Sequence, residues 1–138
     1  DRTEKRNNNS CVLRVASAAG SVLFTGDIEE RAERRLLSHD AAGLASDIII
    51  VPHHGSKTSS STAFIQAVNP ALSLFSVGYK NRYHLPNNKI LARYLSQKIP
   101  VIRTDENGAV TVRMLINKPF IVSNQRQEAK KYWHHIVN

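Results

Sequence analysis

Residues 47–61 read DIIIVPHHGSKTSSS, and the fold turns on this stretch. Three consecutive β-branched isoleucines, Ile48 to Ile50, followed by Val51 and Pro52, predict a short buried strand that stops abruptly, because proline has no N–H to give to a ladder. The strand delivers His53-His54-Gly55-Ser56, two adjacent imidazoles at a strand terminus, where α/β proteins usually build their sites. Upstream, residues 21–24 form a second apolar run that ends in Thr25-Gly26-Asp27 and so sets a carboxylate at another strand end. Between the two runs, Ile28, Ala32, Leu36 and Leu37 recur at helical spacing. Glu29, Glu30 and Glu33 come early and Arg34 and Arg35 late, as the helix dipole prefers, which predicts a helix over residues 28–39. Strand, helix, strand in this order predicts parallel neighbours joined by a right-handed crossover, with Asp27 and the histidines at one edge. Plainer roles stand beside this one: Asp27 could cap the helix, and the His-His pair could be ordinary loop. Together, however, Asp and neutral His are normal ligands for zinc or manganese.

Composition bounds the rest. A chain of 138 residues, 41% hydrophobic and 22% charged, is ordinary for one globular domain. The lone cysteine, Cys11, excludes an internal disulfide and a multi-thiolate metal site, and it is expected to be buried filler. No apolar run approaches the roughly 18 to 20 residues of a membrane span, and the start lacks the basic-then-apolar layout of a signal peptide. Residues 1–9 are polar and irregular and lack an initiator methionine, which suggests a piece of something longer. Nineteen Lys and Arg against eleven Asp and Glu give a formal +8, favouring an anionic partner such as nucleic acid, although basic surfaces also serve solubility.

Elsewhere, residues 10–16 and 21–25 predict a hairpin across Ser17-Ala-Ala-Gly20. The hydroxyl run after the histidines is expected to cap a helix over residues 62–68. A strand over residues 71–77 leads into Gly78-Tyr-Lys-Asn-Arg-Tyr-His84-Leu-Pro86, a loop whose aromatic, basic and amide groups suit a site but also a plain surface turn. Asn87 opens a helix to Lys98 with Ile90, Leu91, Tyr94 and Leu95 inward. Residues 101–104 and 109–116 are predicted to pair as a hairpin around Asp105-Glu-Asn-Gly108. The tail, residues 124–138, is basic and weakly helical, with Trp133 as an anchor and His134-His135 solvated.

These segments carry a resemblance. Asn8-Asn9-Ser10, Phe24-Thr-Gly-Asp27 with Glu33 in the next helix, the VPHHGSKTSSS core, Ser76-x-Gly-x-x-Asn81-x-Tyr83 and Arg103-Thr-Asp-x-x-Gly108-Ala together resemble the metallo-β-lactamase-like region of the ComEC family of competence proteins, which take up DNA through the inner membrane. The resemblance implies the second half of an αββα sandwich over residues 10–123, an α/β fold with a mixed sheet and flanking helices. The HxHxDH or HxDxDH segment found near the front of such domains is absent, so the first-half ligands are missing. Where the family tends to place His-Pro, this chain has Leu85-Pro86, so either His84 serves one position earlier or that ligand is lost.

The implied site takes Asp27 and one of His53 and His54 as ligands of a divalent metal, zinc or manganese, in the intact domain. Which histidine binds stays open. His84 or Asn81 would position a phosphate oxygen, and Lys57, Lys80 and Arg82 would contact the DNA backbone. The partners implied are DNA and the remainder of a parent membrane protein, with no small-molecule cofactor and a place on the periplasmic side. Two functions remain: half of a metal-dependent nuclease or phosphodiesterase site, with this chain alone inactive and without a tight metal site, or a non-catalytic DNA-contacting or structural domain.

Overall fold

A computed structural model describes residues 6–129. Its centre is a five-stranded mixed sheet in the order β1-β2-β3-β4-β5, formed by Leu13–Ser17, Gly20–Phe24, Ile48–Ile50, Leu72–Phe75 and Val101–Arg103. The first pair is the expected antiparallel hairpin, with Leu13 opposite Phe24 and Ser17 opposite Gly20. The remaining neighbours are parallel, with Leu23 in register with Ile49 and Ile49 with Ser73. Helices α1 (Glu30–Asp40), α2 (Thr62–Val68) and α3 (Asn88–Ser96) connect the parallel strands. Because the strands advance in one direction and such crossovers are right-handed, all three helices fall on the same face of the sheet.

The side-chain pattern agrees. Leu23, Ile49, Val51, Phe75 and Val77 point to the helices and join Ala32, Phe64, Ile65, Val68, Ile90 and Tyr94 in one core. Phe64 and Tyr94 are fully buried, and truncating Phe64 to alanine is expected to cost about 3–5 kcal/mol. The alternate residues Leu13, Val15, Val22, Phe24, Ile50, Leu74 and Ile102 share the opposite face by register. That face is covered only in part: Ile48 and Leu72 are buried, whereas Leu13, Val15 and Phe24 are 57%, 51% and 44% exposed.

Four expectations are corrected. Residues 101–104 and 109–116 do not pair: Val101–Arg103 joins β4 in the main sheet, and Thr104–Asn107 is a short helix, α4. Gly108 does adopt φ +73, but as the residue that ends α4. The true hairpin joins β6 (Val110–Leu115) to β7 (Lys118–Asn124) through Ile116-Asn117, with Asn117 at φ +55. Leu95 turns outward and is 59% exposed, because the buried stripe of α3 is set by Ile90 and Tyr94. Cys11 is exposed, since it precedes an edge strand with no layer over it. Finally, Asp27 does not cap α1; Glu29 holds that position, and the Asp27 carboxylate faces elsewhere. Gln125–Glu128 forms one helical turn, α5, and the expected anchor Trp133 and the expected solvated pair His134-His135 lie outside the described residues.

Candidate functional site

The parallel pairing of β2 with β3 carries Gly26-Asp27 and His53-His54 to the same sheet edge, and hydrogen bonds lock the two loops together. The His53 N–H donates to Gly26 O at 3.0 Å, and the Thr25 hydroxyl donates to Ile50 O at 2.6 Å. After Pro52 the backbone does something that no L-residue prefers: His53, His54 and Gly55 run in succession at φ 48°, 57° and 78°. A left-handed conformation costs an ordinary residue roughly 1–2 kcal/mol, so two consecutive histidines held there store strain at the site. Gly55 is required by space as well, because a Cβ there would sit 2.7 Å from both the Phe75 ring and Pro86.

This backbone points the two imidazoles apart. Their ring centroids are 6.5 Å from one another, at an interplanar angle of 61°. His54 Nδ1 lies 2.7 Å from the Ser76 carbonyl, which can only accept, so Nδ1 carries the proton and Nε2 keeps its lone pair when the ring is neutral. Nε2 lies 3.5 Å from Asp27 Oδ1, and both side chains are about half exposed. His53 turns inward instead. Its Nε2 is 3.4 Å from the Asn7 amide, and its buried Nδ1 has no hydrogen bond among the described residues, with Glu29 Oε1 3.6 Å away.

The supporting layer is built from residues to which the sequence reading gave no role in the site. The Ser10 hydroxyl accepts from the Asp27 N–H and the Asn8 side-chain amide oxygen (Oδ1) from the Glu29 N–H, so Asn8 and Ser10 pin the Asp27 loop. Glu33, fully buried on α1, accepts the N–H groups of Ser60 and Ser61. Burial pushes its carboxyl above the ordinary 4.5, against the lowering effect of those bonds. Tyr94 donates to the Ser60 hydroxyl and Arg93 to the Ser60 carbonyl. The hydroxyl run is thus structural: Ser61 caps α2 as expected, and Ser59 ties back to Pro52 O and Ser56 O. On the far side, the Thr104 hydroxyl accepts from Val77 N at 2.7 Å and donates to Val77 O at 2.8 Å, which fixes the strand end that presents the Ser76 carbonyl to His54.

The other expected site residues sit on neighbouring loops. Lys57, Lys80, Arg82 and His84 are exposed, and His84 makes no described contact with Asp27 or His54. Asn81 is spent inside its own loop, donating to Gly78 O and Leu85 O and accepting from Leu85 N. Among the described residues no three His, Cys, Asp or Glu side chains converge as a metal-holding group. A carboxylate facing an imidazole whose other nitrogen is fixed by a carbonyl has the chemistry to take up a divalent metal, so Asp27 and His54 are the residues here that could hold one.

The architecture therefore defines an α/β domain with an acid–imidazole pair at the shared edge of two parallel strands. The chain is 39% identical over 132 residues to an uncharacterised protein, YcaI, of Escherichia coli, 34% over 127 residues to competence protein ComA of Neisseria gonorrhoeae and 37% over 108 residues to ComE operon protein 3 of Bacillus subtilis. These matches cover 96%, 92% and 78% of the chain but only 17%, 18% and 14% of the relatives, so the chain spans less than a fifth of the length of each. Over this segment the chain belongs to the ComEC family of competence proteins. No family model matches it, and no solved structure does. Among the described residues no helix is long and apolar enough to cross a membrane.

Proposed function

We propose that the chain contributes part of a metal-dependent phosphodiesterase or nuclease site to a competence-related DNA-uptake protein of the inner membrane, on its periplasmic side. One observation carries this reading: the His54 ring, held through Nδ1 by the Ser76 carbonyl, presents Nε2 to Asp27 at 3.5 Å. The half-covered sheet face supports the wider proposal of a metallo-β-lactamase-like αββα sandwich, since an apolar face of this kind calls for a second sheet over it.

In this reading Asp27 and His54 hold a zinc or manganese ion, with further ligands supplied by the longer protein. A metal held by Asp27 and His54 would supply an activated water for phosphodiester hydrolysis. Lys57, Lys80 and Arg82 bind backbone phosphates as point charges, and His53 braces the loop against Asn7 and Glu29. A second reading, a non-catalytic DNA-contacting domain, draws on the inward turn of His53, which leaves a single imidazole facing Asp27. Assay of the full-length family protein separates the two. Cleavage of a labelled oligonucleotide with Mn²⁺ or Zn²⁺, lost in Asp27→Asn and in His54→Ala, is expected. Unaltered DNA binding with no cleavage under any divalent metal would leave the second reading.

A further inference from the structure

Beside His54 the surface opens into a cleft of about 490 Å³, lined by His54, Ser76, Val77, Gly78, Asn81, Tyr83 and Leu85. Its volume is within the range of small-ligand sites. The chemistry of its lining is unusual for a polar loop. The Ser76 carbonyl is taken by His54, and the Asn81 amide is taken by Gly78 and Leu85, so the polar groups of the wall are largely spent on the protein itself. What remains open is the apolar surface of Val77 and Leu85, the bare backbone of Gly78 and the Tyr83 ring, which is 66% exposed. The Arg82 guanidinium lies over that ring, 4.8 Å from its centroid, and donates to its hydroxyl, which sets positive charge against the ring. Lys80 and Arg126 lie over the neighbouring Tyr79 ring at 5.4 and 5.5 Å.

We propose that this cleft takes one unpaired base of a nucleic-acid strand, stacked on Tyr83, with the adjoining phosphate turned toward His54. The inference rests on the nucleic-acid reading above and narrows it. An exposed flat ring with a guanidinium over one face and few free hydrogen-bonding groups around it suits a base on its other face without discriminating the base edge, which is how strands are bound without sequence preference. A base inside a duplex is stacked on both sides and cannot enter, so the cleft selects single strands or frayed ends. The sequence suggested phosphate contact alone; the fold adds a stacking platform, because the turn of residues 78–85 brings Tyr83 beside His54.

Gly78 gives a direct test, because a Cβ there meets only the Asn81 Cβ, at 4.0 Å, and its φ is ordinary. Gly78→Leu therefore fills the cleft while leaving Tyr83, Asp27 and His54 in place. Fluorescence anisotropy with the 138-residue chain compares a thymidine oligonucleotide, its duplex and an abasic strand of equal length. The thymidine strand is expected to bind roughly 5- to 150-fold tighter than the abasic one. Gly78→Leu and Tyr83→Ala should erase that gap, and Tyr83→Phe should keep it. Equal affinity for normal and abasic strands, or a gap that survives both Gly78→Leu and Tyr83→Ala, overturns the inference. If binding in that case still falls when Lys57, Lys80 and Arg82 are removed, the nucleic-acid reading stands without the cleft. No binding of any strand at low salt overturns both.

Discussion

Asp27 Oδ1 and His54 Nε2 lie 3.5 Å apart across the seam between two parallel strands, while His53, one residue away, is turned toward Asn7 and Glu29. The two histidines should therefore respond differently to metal. On titration of the chain with Zn²⁺, the His54 ring resonances should shift first, with affinity weaker than micromolar, because two protein ligands fall short of the usual three. Asp27→Ala should abolish the shift, and His53→Ala should leave most of it. Stoichiometric sub-micromolar binding would contradict this.

Strain at the same turn is separately measurable. His54 sits at φ 57°, so His54→Gly should be more stable than His54→Ala by about 1 kcal/mol in urea unfolding, although both remove the same imidazole. Gly55→Ala should move the other way, by about 1–3 kcal/mol, because its Cβ would press on Phe75 and Pro86.

Glu33 predicts a pH dependence. Its carboxyl is raised in the folded protein, mainly by burial, so its contribution is fully present below the unfolded value near 4.5 and is lost as pH rises through the folded value. Asp47 runs oppositely: hydrogen bonds from Ser21 lower its carboxyl, and its contribution is lost as pH falls below the ordinary 3.8. Glu33→Gln should flatten the decline above about pH 4.5 in denaturation profiles. It should also cost about 1–3 kcal/mol at low pH, since the amide has one accepting oxygen for the Ser60 and Ser61 N–H groups where the protonated carboxyl still has two.

Thr104→Val keeps the shape and removes the hydroxyl that serves both backbone groups of Val77. A loss of about 1–3 kcal/mol is expected. Amide exchange at Val77 should accelerate, because its N–H is left without an acceptor.

Nucleic-acid binding should weaken steeply with salt. Each phosphate contact contributes about 0.7 to 0.9 to the slope of log K against log salt, so replacing Lys57, Lys80 and Arg82 together by alanine should flatten that slope by roughly 2 to 3 units. A slope untouched by the triple change would place the binding surface elsewhere, with residues 126–131 the first to examine.

The placement of Asp27 with the histidines was legible in the sequence because it follows from periods: an apolar run, a helical repeat, a second apolar run, and one handedness of crossover. Over residues 101–116 both strands were legible, but their pairing was not, for the opposite reason. Asp105-Glu-Asn-Gly108 carries the local chemistry of a hairpin turn, yet Val101–Arg103 is claimed by β4. The actual turn at Ile116-Asn117 looks unremarkable beside it, and a proline at position 119 argues against a strand where β7 lies. Nor could the division between His53 and His54 be read. It depends on positive φ at two residues whose side chains give no sign of it, and on the Ser76 carbonyl arriving from another strand.

The apolar sheet face formed by Leu13, Val15, Phe24, Ile50 and Leu74 ties folding to company. Whatever covers that face binds the folded chain and not the unfolded one, so by mass action it raises the melting temperature in proportion to the logarithm of its concentration. A covering layer carried on the same polypeptide acts at a high effective concentration, and it would add stability to the strands that carry the Asp27–His54 edge.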